Sequence, residues 1–260
     1  MSLQRRWRTA RLKYAAPNLV LALAAVGIIA VVLIAGVKRG YIGSTTVIFL
    51  VSFVPSVILH EVSHGVVALW CGDDTAKRAK RLTLNPLRHI DPLGSIVVPI
   101  LMVLSGGPAF GWAKPVPVRV DRLRHPRDQA VLVSLAGPMT NIILAAIAGV
   151  VFHFLLLSVP HFAFDGLIYP ASGSYNLPCE IALYFGVVNV VLAVFNLIPI
   201  PPLDGSALLE RFLPASLLPG YYRLRFFFII VVLLLVFFKQ GALSSVLGHF
   251  TNWYQDVVSR

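Results

Sequence analysis

Six apolar runs, separated by short polar and mostly basic stretches, set the pattern of the chain: Asn18–Val37, Tyr41–Trp70, Gly94–Ala113, Ala130–Val159, Ile181–Leu203 and Phe226–Phe238. The hydrocarbon core of a bilayer takes ~20 residues of α-helix, so the first, second, fourth and fifth runs predict spanning helices. Phe226–Phe238 reaches only ~20 Å as a helix and needs flanking residues to cross. Gly94–Ala113 carries no charge but contains Pro99, Gly106, Gly107, Pro108 and Gly111. That content predicts a re-entrant or β-hairpin segment near 94–117, since non-helical backbone is tolerated at membrane depth only where protein or water covers it. The expected fold is an all-α polytopic membrane protein with about five to six transmembrane helices. It forms a single membrane-embedded domain over 1–260, with its core at 41–205. The first run is too long for a signal peptide and lacks a small-residue cleavage site, so it reads as a retained span. Trp253 and Tyr254 predict an amphipathic tail segment at the membrane interface.

Composition sharpens this picture. The chain is 57% hydrophobic and 13% charged, against ~45–50% and ~25% in soluble domains. Disorder, a coiled coil and a secreted disulfide scaffold are excluded. The net charge of +11 would suggest nucleic acid in a soluble protein. Here the positives sit between apolar runs, and no basic helix is interleaved with stacking aromatics. The expected partner of the basic loops is the anionic lipid surface of the bilayer, not nucleic acid. Cys71 and Cys179 belong to no Cys-x-x-Cys pair and read as structural thiols.

Charge also orients the chain. If Gly94–Ala113 does not cross and the N-terminus is cytoplasmic, eighteen Lys and Arg lie inside and four outside; if it crosses, the split is twelve to ten. The positive-inside rule selects the non-crossing arrangement.

Ionisable residues inside apolar runs are functional suspects because each is costly in hydrocarbon. The suspects are His60, Glu61, His64 and Asp204. In His60-Glu61-Val62-Ser63-His64 the two histidines are four apart, on one face of a helix, where both imidazoles reach one zinc. Glu61 is placed to act on water beside it. With 7 His in 260 residues, and as few glutamates as this chain has, the motif arises by chance in roughly 0.002 of such chains, which favours a site over a buried histidine pair. A catalytic zinc wants a third protein ligand and an open position. Asp204 is the candidate, after a run broken by Pro199, Pro201 and Pro202 and before Gly205. His64 and Asp204 both lie toward the ends of their runs. They share one side of the membrane only with an even number of crossings between them, which again requires that Gly94–Ala113 does not cross. His153 and His249 read as structural, and Asp73, Asp74, His89 and Asp91 as solvated or structural loop groups.

These residues resemble the site-2 protease family of intramembrane zinc metalloproteases, in its compact form without a PDZ domain. His-Glu-Val-Ser-His-Gly at 60–65 matches the family's zinc helix, and Asn196…Pro199…Asp204-Gly205 its second signature. Gly137-Pro-Met-Thr-Asn141 matches a Gly-xxx-Asn signature, and Gly106-Gly107-Pro108 falls where the family places a membrane-associated hairpin. The resemblance implies one zinc per chain held by His60, His64 and Asp204, with Glu61 as general base. It implies a transmembrane protein as substrate and substrate contacts at Asn196, Gly106 and Gly107; water must reach the site, which argues for a polar cavity open to the cytoplasm. Asn141 is either a pocket residue or a helix-packing amide, the latter favoured. Two rivals are a catalytically silent zinc-binding membrane scaffold and a metal transporter. A scaffold needs no base, yet Glu61 is present; a transporter tends to carry several polar sites and internal repeats, and here there is one cluster.

Overall fold

A computed structural model describes residues 44–91, 94–95, 113–164, 166–214, 216–218, 220–221, 227 and 240–260. The first apolar run, most of Gly94–Ala113 with Gly106 and Gly107, and nearly all of Phe226–Phe238 lie outside the described residues. Three described helices are long and apolar enough to cross a membrane: Val47–Trp70 within α1 (Ser44–Trp70), α3 (Pro126–Leu157) and α4 (Leu177–Asn196). The described part is mostly helical, with two further short helices, α2 (Thr75–Arg78) and α5 (Ser206–Phe212), and a tail helix α6 (Gln240–Val258).

Along α1, buried positions recur every four residues, at Ile48, Ser52, Ser56, His60, His64 and Ala68. In an α-helix such positions form one ridge, and four of these six side chains are polar. The ridge passes Pro55, which cannot donate to the carbonyl one turn back but does not end the helix. α1 closes on Gly72, whose φ is +110°, with Asp73 donating its N–H to the Ala68 carbonyl at 2.8 Å.

α3 starts with Pro126 in its first turn and Asp128 near its positive end. α4 starts at Asn176, whose side chain accepts the Cys179 N–H at 3.0 Å. The two pack along each other, and α6 lies against both: Phe152, Leu156, Cys179, Leu183, Tyr254 and Val258 share one buried cluster. Tyr254 therefore differs from the interfacial expectation. It is 5% exposed, and its hydroxyl donates to the Ala145 carbonyl at 2.9 Å, in the middle of α3. A Cβ at Gly186 would lie 1.8 Å from that hydroxyl, so α4 is cut away to admit the ring. Trp253, one residue earlier, stays 60% exposed.

One element was not expected. Between α3 and α4 the chain forms an antiparallel hairpin, β1 (His161–Phe164) and β2 (Leu167–Pro170), closed by the pair Phe164–Leu167. Gly166 takes φ +75°, as a two-residue turn requires. The signal was the Asp165-Gly166 dipeptide, the commonest kind of hairpin turn. The outer face of α3 stays apolar and exposed, at Ile143, Ile147, Val150 and Phe154. A patch of that kind needs a non-aqueous neighbour, and a bilayer supplies one.

The segment after α1 holds a structural carboxylate. Asp73 is fully buried and accepts the Thr75 N–H at 2.9 Å, the Thr75 hydroxyl and the Arg119 N–H at 2.6 Å. It ties the end of α1 to residues 46 positions later. Asp74 instead makes exposed ion pairs with Arg78 and Arg122. Burial pushes the Asp73 carboxyl up, but the Arg119 and Thr75 donors outweigh it and hold the group below the usual carboxylate range. A depressed folded value means that the stabilisation is present above the unfolded value and lost as pH falls through the folded one. Asp73→Ala should cost about 2–4 kcal/mol at neutral pH because it orphans buried donors, whereas Asp74→Ala should cost under about 1 kcal/mol. In detergent unfolding, the gap between wild type and Asp73→Ala should narrow below about pH 4; a gap independent of pH would contradict the ionised role.

Candidate metal centre

His60 and His64 stand one turn apart on α1, and the proline-broken loop after α4 carries Asp204 to them. His60 Nε2 and His64 Nε2 are 3.1 Å apart; Asp204 Oδ2 lies 3.1 Å from the first and 3.3 Å from the second. The His60 and His64 side chains are about nine-tenths buried, and Asp204 is one-fifth exposed.

Local sequence explains the convergence. Beyond Asn196 the chain turns back through Ile198–Pro202, and the Gly205 N–H returns to the Asn196 carbonyl at 2.7 Å. A Cβ on Gly205 would sit 2.2 Å from the Leu197 carbonyl oxygen, so only glycine permits that closure. On the other side, Gly137 of α3 faces the imidazoles. A Cβ there would lie 2.5 Å from both His60 Cε1 and His64 Nε2. One turn further along α3, Asn141 is fully buried and its Oδ1 lies 2.6 Å from His60 Nδ1. The Gly-xxx-Asn spacing thus makes room for the rings and then holds one of them.

The donor set fits a zinc ion. His64 Nδ1 faces the Val133 carbonyl at 2.7 Å. A carbonyl only accepts, so Nδ1 carries the proton and Nε2 keeps its lone pair. Asp204 Oδ2 is buried and finds no hydrogen-bond donor. Two imidazole lone pairs and a carboxylate oxygen facing one another repel unless a cation lies between them. Tetrahedral zinc with bonds of 2.0–2.2 Å places its ligand atoms about 3.3–3.5 Å apart, close to the separations found. Among the described residues, this is the one His/Cys/Asp/Glu group that comes together this way.

Other predicted residues are placed as follows. Glu61, next to His60, is partly buried, and its Oε2 accepts the Val116 N–H at 2.8 Å. Residues 113–118 are irregular and pair with no strand among the described residues. They are tied by Glu61, by Arg81 Nη2 donating to the Lys114 carbonyl at 2.7 Å, and by the Lys114 N–H on the His89 carbonyl at 2.8 Å. The Asn196 side chain donates to the Leu192 carbonyl of its own helix at 2.9 Å. Sequence reasoning missed Asn189 and Ser56, two fully buried polar groups that continue from Asn141: Asn141 Nδ2 donates to Asn189 Oδ1 at 2.7 Å, and Asn189 Nδ2 to Ser56 Oγ at 2.8 Å. The available signal was an amide, Asn189, in the middle of the apolar run 181–203.

A histidine pair four apart on a membrane helix, with a glutamate directly after the first histidine and an aspartate delivered from the loop after another helix, is the donor set of a zinc metalloprotease. The profile described as Peptidase family M50 matches residues 48–238. YwhC of Bacillus subtilis, named as a candidate zinc metalloprotease, is 40% identical over 167 residues, 64% of this chain and 69% of that one. Rip2 of Mycolicibacterium smegmatis, named likewise, is 32% identical over 174 residues, 66% of this chain and 60% of its own. Rip2 of Mycobacterium tuberculosis is 32% identical over 172 residues, 64% of this chain and 58% of its own. No solved structure matches the chain. The chain belongs to peptidase family M50 and is a zinc metalloprotease of that family.

Gly137→Ala should push the imidazoles apart and lower zinc affinity at least about tenfold. Gly149→Ala, on the same helix but facing Val258, should leave it unchanged. Zinc titration against a chelator checks both; equal affinities in the two variants would contradict the packing role.

Proposed function

We propose that the chain hydrolyses a peptide bond in or near the transmembrane segment of a membrane-protein substrate. His60, His64 and Asp204 hold one zinc per chain, and Glu61 is the general base. The observation that carries this reading is the convergence of the three ligand atoms at 3.1–3.3 Å beside three apolar helices. A zinc bound there polarises a carbonyl and acidifies water. Glu61 takes a proton from the attacking water and returns it to the leaving amine. Its present partner, the Val116 N–H, ties the base to segment 113–118. A substrate helix must unwind before attack, because its carbonyls are bonded internally. Gly106, Gly107 and Asn196 are proposed to meet the unwound strand. Asn141 is proposed to act on His60 rather than on substrate, since it is buried behind the ring. The silent-scaffold reading is disfavoured by Glu61, which is beside the donor set without belonging to it.

The chain is proposed to be one membrane domain whose site opens to the cytoplasm. In support, the end of α1 and the start of α3 are joined by the Arg124 N–H on the Cys71 carbonyl at 3.0 Å. The region after α4 meets the same end of α3, where Arg211 pairs with Asp128 and Arg127 donates to the Leu213 carbonyl. Arg124, Arg127 and Arg211 thus lie at one end of the described helices, in keeping with the positive-inside rule for a cytoplasmic face. Cysteine labelling at positions 88 and 124, with Cys71 and Cys179 replaced by alanine, should mark both from the cytoplasm. Labelling from opposite sides would overturn this topology.

Glu61→Gln should keep zinc and lose at least about a hundredfold in cleavage of a membrane substrate. His60→Ala with His64→Ala should lose the metal, and Asp204→Ala should lose most of it. Substantial cleavage by metal-loaded Glu61→Gln, or full metal without Asp204, would overturn the respective assignment.

A further inference from the structure

A buried chain of polar side chains runs from His60 away from the metal site, linking the three described helices that are long and apolar enough to span. His60 Nδ1 meets Asn141 Oδ1 at 2.6 Å; Asn141 Nδ2 meets Asn189 Oδ1 at 2.7 Å; Asn189 Nδ2 meets Ser56 Oγ at 2.8 Å; Ser56 Oγ meets the Ser52 carbonyl at 2.7 Å. The three side chains beyond the imidazole, Asn141, Asn189 and Ser56, are fully buried. Buried polar groups of this kind pair donor to acceptor, and each of the three does so here.

That requirement fixes the direction of every bond. The Ser52 carbonyl accepts only, so the Ser56 hydroxyl gives it its single proton and presents a lone pair to Asn189. Asn189 must therefore turn its NH2 toward Ser56. The Phe185 carbonyl, 2.8 Å from the same nitrogen, enforces the same orientation independently. The Asn189 carbonyl oxygen then faces Asn141 and demands the Asn141 NH2. Asn141 is left with only its oxygen toward His60, and that oxygen needs a proton on Nδ1. A neutral imidazole protonated at Nδ1 has its lone pair on Nε2, the nitrogen that points at Asp204 and His64.

We propose that Asn189, with Ser56 behind it, is a positioning residue that locks the His60 tautomer through Asn141 and so keeps Nε2 open for the metal before any metal arrives. The two histidines are set by different means. His64 is held by the Val133 backbone carbonyl, which cannot turn round. His60 is held by an amide that can, and Asn189 removes the choice. Breaking such an outer partner typically weakens metal binding by 10–100-fold. The proposal rests on His60 being a zinc ligand, as argued above.

The test uses full-length protein in detergent, labelled with 15N-histidine, stripped of metal and held near pH 9, where imidazoles are neutral. His60 is assigned by comparison with His60→Gln. Wild type should carry the His60 proton on Nδ1. Asn189→Leu, which keeps the number and branching of the side-chain heavy atoms but removes the amide, should give a mixture of tautomers and raise the zinc dissociation constant about 10–100-fold. Asn189→Asp still presents a carboxyl oxygen that accepts from Asn141 in either protonation state. It should restore the Nδ1 proton and bring zinc affinity back to near the wild-type value. A wild-type His60 protonated at Nε2 overturns the proposal without any variant, so it stays decidable if Asn189→Leu does not fold. So does an Asn189→Leu protein with wild-type tautomer and affinity. The metal-free tautomer is independent of what binds there. A correct tautomer with zinc retained in His60→Ala would instead mark failure of the ligand assignment.

Discussion

Three electron-rich atoms held just over 3 Å apart beside apolar helices are the constraint on which the rest of this molecule turns. Left alone, two imidazole lone pairs and a carboxylate would separate or take up protons. They come together because both rings are fixed from behind and glycines clear the space in which the three groups meet. Val133 and Asn141 fix the rings, Gly137 lets α3 approach them, and Gly205 lets the loop after α4 fold back to deliver Asp204. Each fixing contact comes from a different helix than the group it fixes, so the site exists only when the helices are packed.

The same logic orders the rest of the fold. The i, i+4 ridge of α1 puts two serines and two histidines on one buried face; α3 supplies the partners of both histidines, and α4 supplies the donor to Ser56. Away from the site, tertiary contacts use cavities cut by glycine: Tyr254 fills the notch at Gly186 and reaches a backbone oxygen of α3. Beyond α1, buried Asp73 and Arg81 hold the segment that meets Glu61. Charges near the active site thus divide into those that organise backbone and those that face the metal position, and burial alone does not separate them.

Much of this was legible in the sequence because the signals are local. Helical spacing four apart predicts that His60 and His64 share a face, and the prolines before Asp204 predict where α4 ends. The broken run before Gly205 marked Asp204 as the candidate third ligand. What was not legible depends on which face of one helix meets which face of another. Asn189 is one amide among many apolar neighbours, and its partner Ser56 lies 133 residues earlier. Asp73 looked like any charge in a basic loop, and only the return of Arg119 to it reveals a buried node. Tyr254 carried an interfacial composition, yet a glycine on α4 decided its fate. The hairpin at 161–170 is a different kind of miss, since its Asp-Gly turn was written in the chain and was outweighed by the long helices on either side.

The central claim is that a His-His-Asp set, and nothing else, holds the metal. X-ray absorption at the zinc edge of the purified, active protein tests it most directly. The account predicts a shell of nitrogen and oxygen at about 2.0–2.2 Å with the outer-ring scattering of two imidazoles and no sulfur. A sulfur shell near 2.3 Å, or scattering from one imidazole only, would contradict it.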